Sequence, residues 1–199
     1  QLALSVLEKF QAKELKAKVL AVFHATVGIW KEPIRESLQP FQSAYTSGLE
    51  TGDVEFATTC AYLYSFHSSF VGKPLGSLEP EMAAYSSALA RLKQATNLNY
   101  HKIYQQGVLN FIGKAEDPCC LVGESYNEQI MLPIHQQAND RYAICNLSVN
   151  KLRLCCLFDR PTEAVKTAAM AEPYLDGATA TLLIPLFHFY TALARLAVY

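Results

Sequence analysis

The sequence predicts an all-α protein, a right-handed α-solenoid built of antiparallel helical hairpins. Three observations carry that expectation. Apolar residues recur at spacings of four and three along most of the chain, as in Ile34, Leu38, Phe41, Tyr45 and Leu49, which places them on one face of a helix. Nowhere does a period-two alternation of strand length stand between turn signals. Short breaker clusters such as Gly52-Asp53 and Gly72-Lys73-Pro74-Leu75-Gly76 separate the helical stretches, and connections so short make consecutive helices antiparallel neighbours.

Taken in order, Leu2–Phe10 reads as the tail of a helix whose partner lies upstream. Leu15, Val19, Val22, Thr26 and Trp30 trace the next stripe, which ends before Pro33. Pro33 suits the first turn of the following helix, and Pro40 is expected to kink it. The second hairpin pairs Phe56, Cys60, Leu63, His67 and Phe70 with Leu78, Met82, Tyr85, Leu89 and Leu92, with Ser77 as its helix cap. Tyr100, Tyr104, Val108 and Phe111 form a third outward helix that should stop at Gly113. A short helix after Pro118, a loop over residues 123–127 and a restart at Pro133 are expected next. From there Ile134, Ala138, Tyr142, Cys145, Val149, Leu152 and Cys156 keep the four-three spacing as one long helix. Residues 181–198 begin a last unit, with Leu183, Leu186, Tyr190, Leu193 and Ala197 on its face and Pro185 in its first turns.

Residues 158–177, FDRPTEAVKTAAMAEPYLDG, are the stretch around which the rest is organised. Ala164, Ala168 and Ala171 put three small side chains on one stripe, where a neighbouring helix can approach closely. That pattern resembles the second helix of a tetratricopeptide (TPR) hairpin, with Asp176-Gly177 at its turn. Turns at Asp53, Asn97, Asp140 or Pro133, and Asp176 give a repeat of about 40 residues, longer than the roughly 34 of a strict TPR.

Composition bounds the function. The length of 199 residues admits one large domain or two small ones and can bury roughly 70% of the unfolded chain's surface; the helical pattern leads us to expect one helical domain, 1–199. A formal charge of -1 gives no general attraction to phosphate backbones, and Lys9, Lys13, Lys16 and Lys18 read as a solvated face, so no nucleic-acid partner is expected. No apolar run approaches the ~20 residues that span a bilayer, and the run at residues 2–7 is too short for a signal peptide. No membrane partner and a cytoplasmic location are expected. The six cysteines, including the adjacent pairs Cys119-Cys120 and Cys155-Cys156, read as reduced thiols in helical stretches. Beginning on Gln1 and ending at Tyr199 inside an apolar helical pattern, the chain reads as a fragment of a longer multidomain protein. Its severed ends would expose apolar faces through which it could form an oligomer.

Five blocks in order add a resemblance over nearly the whole chain: GLETGDVEFA (residues 48–57), EDPCCLVGESYNEQIMLPI (116–134), LFDRPTEAV (157–165), AEPYLDG (171–177) and LIPLFHFYTALA (183–194). Together they resemble the helical, TPR-like region of large bacterial multi-sensor signalling kinases. In that family a serine/threonine kinase domain and an AAA- or STAND-type ATPase precede this region, and GAF modules, often PAS modules, and a histidine kinase follow it. The resemblance implies a non-catalytic protein-interaction and signal-relay segment, whose partners are modules of the parent kinase or a peptide or helix. A competing expectation is a ligand- or peptide-sensing repeat that regulates the neighbouring modules. Pro40 and Pro173 depart from a regular helical pattern and should bend their helices.

No motif demands catalysis, and no catalytic, cofactor-binding or metal-binding residue is expected. GVLNFIGK (residues 107–114) has one residue too many between its glycines for a phosphate loop, and Ala115 stands where Ser or Thr belongs. Neither His24 nor His67 has the context of a phosphoaccepting histidine, and Cys60 with His67 or His101 reads as core. Cys119, Cys120 and His135 make a poor zinc set, because adjacent cysteines cannot both turn to one tetrahedral ion. His188, between Phe187 and Phe189, reads as packing, and the Asn146-Leu147-Ser148 sequon sits within a helix. The one candidate binding surface is aromatic. Tyr62, Tyr64 and Phe66 lie off the main stripe and, with Tyr100 and Tyr104, could line a groove for a peptide or partner helix, core packing accounting for most of the remaining aromatic density.

Overall fold

The computed structural model describes residues 2–199 and, of residue 8, the backbone alone. Among the described residues there are ten α-helices and no strand, the nearest thing being an isolated antiparallel bridge between Val122 and Asn127. The fold is all-α as expected. The chain divides into two compact units, one ending at His101 and the other beginning at Lys102.

In the first unit α1 (Leu2–Phe10), α2 (Lys13–Val22), α3 (Leu38–Thr51), α4 (Val54–Ser68) and α5 (Leu75–Arg91) each pack on the next. A π turn (Phe23–Val27) and a 3-10 turn (Gly28–Trp30) prolong α2. Its inward face is not the expected large-residue stripe: Ala17, Ala21, His24 and Gly28 are buried, while Leu15, Val22 and Trp30 are exposed. The cause is close approach. A Cβ on Gly48 of α3 would lie 2.9 Å from the Ala57 Cβ of α4 and 3.1 Å from the Ala17 Cβ, a gap too narrow for larger side chains.

Pro33 (φ -56°) leads a 3-10 turn, Ile34–Ser37, and Pro40 falls in the first turn of α3, where a proline costs little. The expected kink is a change of winding at Leu38 instead. Gly52 (φ 80°) closes α3, and the Asp53 carboxylate accepts the Phe56 N–H at 3.3 Å to open α4. Every residue from 60 to 69 is buried, so the C-terminal part of α4 is covered on all sides. Ser77 is not the cap of α5: the helix starts after Pro74, and the Ser77 hydroxyl donates to the Pro74 carbonyl at 2.8 Å.

The helix α6 (Ala95–Phe111) starts in the first unit and ends in the second, closed by Gly113 (φ 80°). The second unit continues with α7 (Glu128–Gln137), α8 (Arg141–Leu157), α9 (Pro161–Ala171), a 3-10 segment (Glu172–Ala178) and α10 (Leu183–Ala197). Helix α8 is central: it touches α7, α9, the 3-10 segment and α10, and residues 143–150 are all buried.

Three expectations are corrected in this unit. Residues 117–120 form a turn, with the Cys120 N–H donating to the Asp117 carbonyl at 3.1 Å, not a short helix. The long helix from Pro133 is two helices: α7 starts at Glu128 and contains Pro133, and the chain breaks at Asn139 (φ 49°) before Asp140 caps α8. Side-chain caps at Asn127 and Asp140 outweigh an apolar spacing that runs unbroken through the break. In α10 the buried face is Leu183, Phe187, Thr191 and Ala194, one step from the expected stripe, and Leu193 is exposed. The small stripe of α9 is as expected: Ala164, Ala168 and Ala171 are buried.

Candidate functional site

The aromatic residues singled out by the sequence are built into the fold's interior. In the first unit Tyr62, Tyr64 and Phe66 are buried and Tyr100 is half-buried. The Tyr62 ring stacks on Phe66 with centroids 6.1 Å apart and meets Tyr100 edge-on at 5.6 Å. The Tyr64 hydroxyl donates to the Glu81 carboxylate at 2.7 Å and accepts from Lys73 at 3.1 Å. In the second unit the buried Tyr104 hydroxyl donates to Asn146 Oδ1 at 2.6 Å. Tyr62 meets Phe66 and Tyr100, and Tyr64 and Tyr104 bond polar neighbours, so the exposed candidate surface lies elsewhere.

The reactive residue types are also bound up in packing. Ser37 Oγ lies 2.7 Å from His67 Nδ1, both groups buried, and burial lowers the His67 pKa to about 3. His67 therefore does not pair with Cys60, whose thiol approaches the Ala17 carbonyl at 3.7 Å and is pushed by burial up to about 12. His101 Nε2 lies 2.9 Å from the Met82 carbonyl. His188, expected to pack, is exposed. Gly107 has a packing reason: a Cβ there would sit 2.8 Å from Asn150 Oδ1.

A concave site does exist in the second unit, and its construction begins in α6. Gln106 Oε1 accepts the N–H groups of Ser125 and Tyr126 at 3.1 and 3.2 Å, and its amide donates to Asn110 Oδ1 at 2.9 Å. Asn110 in turn donates to the carbonyls of Cys120 and Pro118 at 2.7 and 3.1 Å. Two buried amide side chains thus shape a loop with little regular pairing of its own. The Glu128 N–H closes the loop onto the Leu121 carbonyl at 2.9 Å, and Asn127 Oδ1 accepts from Gln129 and Ile130 to start α7.

The opposite side is tied just as firmly. Arg141, at the start of α8, donates to Asp176 Oδ1 at 2.8 and 2.6 Å and to the Pro173 carbonyl, and its guanidinium lies 5.2 Å from the Tyr174 ring. The 3-10 segment after α9 is thereby fixed against α8.

Between these two sides lies a trough of about 300 Å³. Leu132 and Gln136 of α7 form one wall; Thr167, Met170 and Tyr174 form the other. The floor is α8, with Ile144 and Leu147 apolar and Ser148 and Lys151 polar. Lys151 is ion-paired with Glu128, whose second oxygen accepts the Leu121 N–H at 3.0 Å. Burial is the strongest single influence on Lys151 and would lower its pKa, but the hydrogen bond it donates to Glu128 and the charge of that carboxylate together outweigh it, so the ammonium is held above its ordinary value. Met170 stands 62% exposed on the rim. An apolar cleft with a few convergent polar groups has the make-up of a binding site for a small ligand or a peptide side chain.

No helix among the described residues is long and apolar enough to cross a membrane. Comparison with protein-family models, curated proteins and solved structures finds no match to this chain.

Proposed function

We propose that this chain is a protein-interaction segment, a TPR-like, right-handed stack of helical hairpins that relays a signal within a larger signalling kinase. The trough between α7 and α9 is the single observation that carries this reading. Its apolar walls fit one large side chain of a partner segment, and the Glu128–Lys151 pair with Ser148 offers both donors and acceptors to that segment's backbone. The five sequence blocks that resemble the kinase family supply the cellular setting, a non-catalytic role beside ATPase and sensor modules. Consecutive packing of helices within each unit supports the relay, because each helix that shifts must carry its neighbour.

The same trough supports the ligand-sensing alternative, since its volume also suits a small organic molecule. Peptide display against the full chain, read by amide exchange, separates the readings. Selected peptides should bear an apolar anchor, protect α7 and α9, and lose binding on M170E. A metabolite that protects the same helices while no peptide does would favour sensing, and unchanged exchange with both would overturn the site.

A further inference from the structure

Independently of the trough, the second unit gathers three donors of another kind. The sulfurs of Cys119 and Cys155 and a carboxylate oxygen of Glu163 all lie within 4.8 Å of one another, the one such set among the described residues. They come from the turn after α6, from α8 and from α9. We propose that they form a binding site for a thiophilic closed-shell cation of the Zn²⁺ class, held by two thiolates and one carboxylate with a fourth position left to water.

Paired sulfur donors select soft or borderline ions over Mg²⁺ and Ca²⁺, and an oxygen donor as third ligand suits zinc better than copper(I). Both sulfurs are buried and Glu163 is exposed, so an ion would enter past the carboxylate and settle on the thiols. The donors are held in place. Asp117 Oδ1 accepts the Cys119 N–H at 2.9 Å, which fixes the turn that carries the thiol. Arg160 Nη1 lies 3.0 Å from Asp117 and 3.5 Å from Glu163, orienting both carboxylates. Cys120 is turned away, its sulfur 3.4 Å from Asp117, as the bite of adjacent cysteines requires.

A divalent ion with two thiolates and a carboxylate carries one net negative charge, and Arg160, shared between Glu163 and Asp117, offsets part of it. Binding exchanges the two thiol protons for the ion and changes no oxidation state.

The test titrates the reduced full chain with Cd²⁺, read by its sulfur-to-metal ultraviolet absorption, and then displaces it with Zn²⁺ against a chromophoric chelator. One equivalent should saturate. C119S and C155S should each weaken binding by about 100-fold or more, and E163Q by about 10-fold with the absorption kept. Because Glu163 is exposed, E163Q tests the carboxylate in a chain whose fold is not at risk. The proposal fails if the folded protein shows no such absorption, if the double variant C119S/C155S keeps it, if C120S or C156S abolishes it, or if E163Q binds as the parent does.

Discussion

Glu128 of α7 and Lys151 of α8 are ion-paired at the edge of the trough, and the pair is asymmetric. The carboxylate also accepts the Leu121 N–H at 3.0 Å, whereas among the described residues the ammonium donates to Glu128 alone. E128A therefore leaves two donors without an acceptor, while K151M keeps the aliphatic stem and leaves the carboxylate one bond. With side chains 11% and 22% exposed, E128A should cost about 3 kcal/mol and K151M about 1 kcal/mol. Urea unfolding at neutral pH measures both, and the reverse order would contradict the pairing.

His67 gives stability a pH dependence. Burial keeps the folded-state histidine neutral down to about 3, with nearby His24 adding to the effect, whereas in the unfolded chain it takes a proton near pH 6.5. Below that value the unfolded state binds a proton that the folded state refuses. Stability is therefore complete above pH 6.5 and falls by up to about 1.4 kcal/mol per pH unit as pH drops below it. His24 and His135, both lowered by burial against the opposing pull of Glu32 and Asp140, add to the upper part of the slope. Unfolding midpoints between pH 7 and 4.5 should show the decline, and H67Q should flatten it by one proton's worth.

The sequence made helix ends legible where a residue acts locally. Gly52-Asp53, Gly113 and the alanine stripe of α9 all stand where their chemistry requires. It misled where two stripes compete. Along α2 and the two turns that prolong it, Leu15, Val22 and Trp30 and the buried Ala17, Ala21, His24 and Gly28 share the same four-three rhythm, and only the distance to the facing helices decides between them. Periodicity carries no information about that distance. The trough was hidden for a related reason, because Glu128 and Lys151 stand 23 positions apart and no local spacing joins them. Asn127 was a readable signal: a capping residue followed by Glu is a helix start, and the proline six positions on drew the boundary away.

Gly48 measures how tightly the first unit is packed. A Cβ there meets the Ala57 Cβ and the Asp53 carbonyl oxygen, each at 2.9 Å, and neither is a flexible side-chain end. G48A should destabilise by about 1–3 kcal/mol even though alanine is the better helix former. Gly76, near the start of α5, has nothing within 4 Å of its would-be Cβ, so G76A should be neutral or stabilise by up to about 1 kcal/mol. Opposite signs at two helical glycines, read as thermal midpoints, would show that contact, not backbone freedom, sets the cost.

Asn127 links the cap of α7 to the shape of the trough. Its Oδ1 accepts from Gln129 at 2.9 Å and Ile130 at 3.3 Å, and its extended backbone (φ -135°, ψ 104°) turns the loop into the helix that bears Leu132. N127A removes that acceptor and should cost about 1 kcal/mol, whereas N127D retains it and adds a charge that the helix N-terminus favours. D140A, which frees the Ala143 N–H at the start of α8, should cost a similar amount. Amide exchange distinguishes the two caps by place. N127A should speed exchange in the first turn of α7 and weaken trough ligands, while D140A should do so at the start of α8. If N127A leaves exchange in α7 unchanged, the cap does not set that wall.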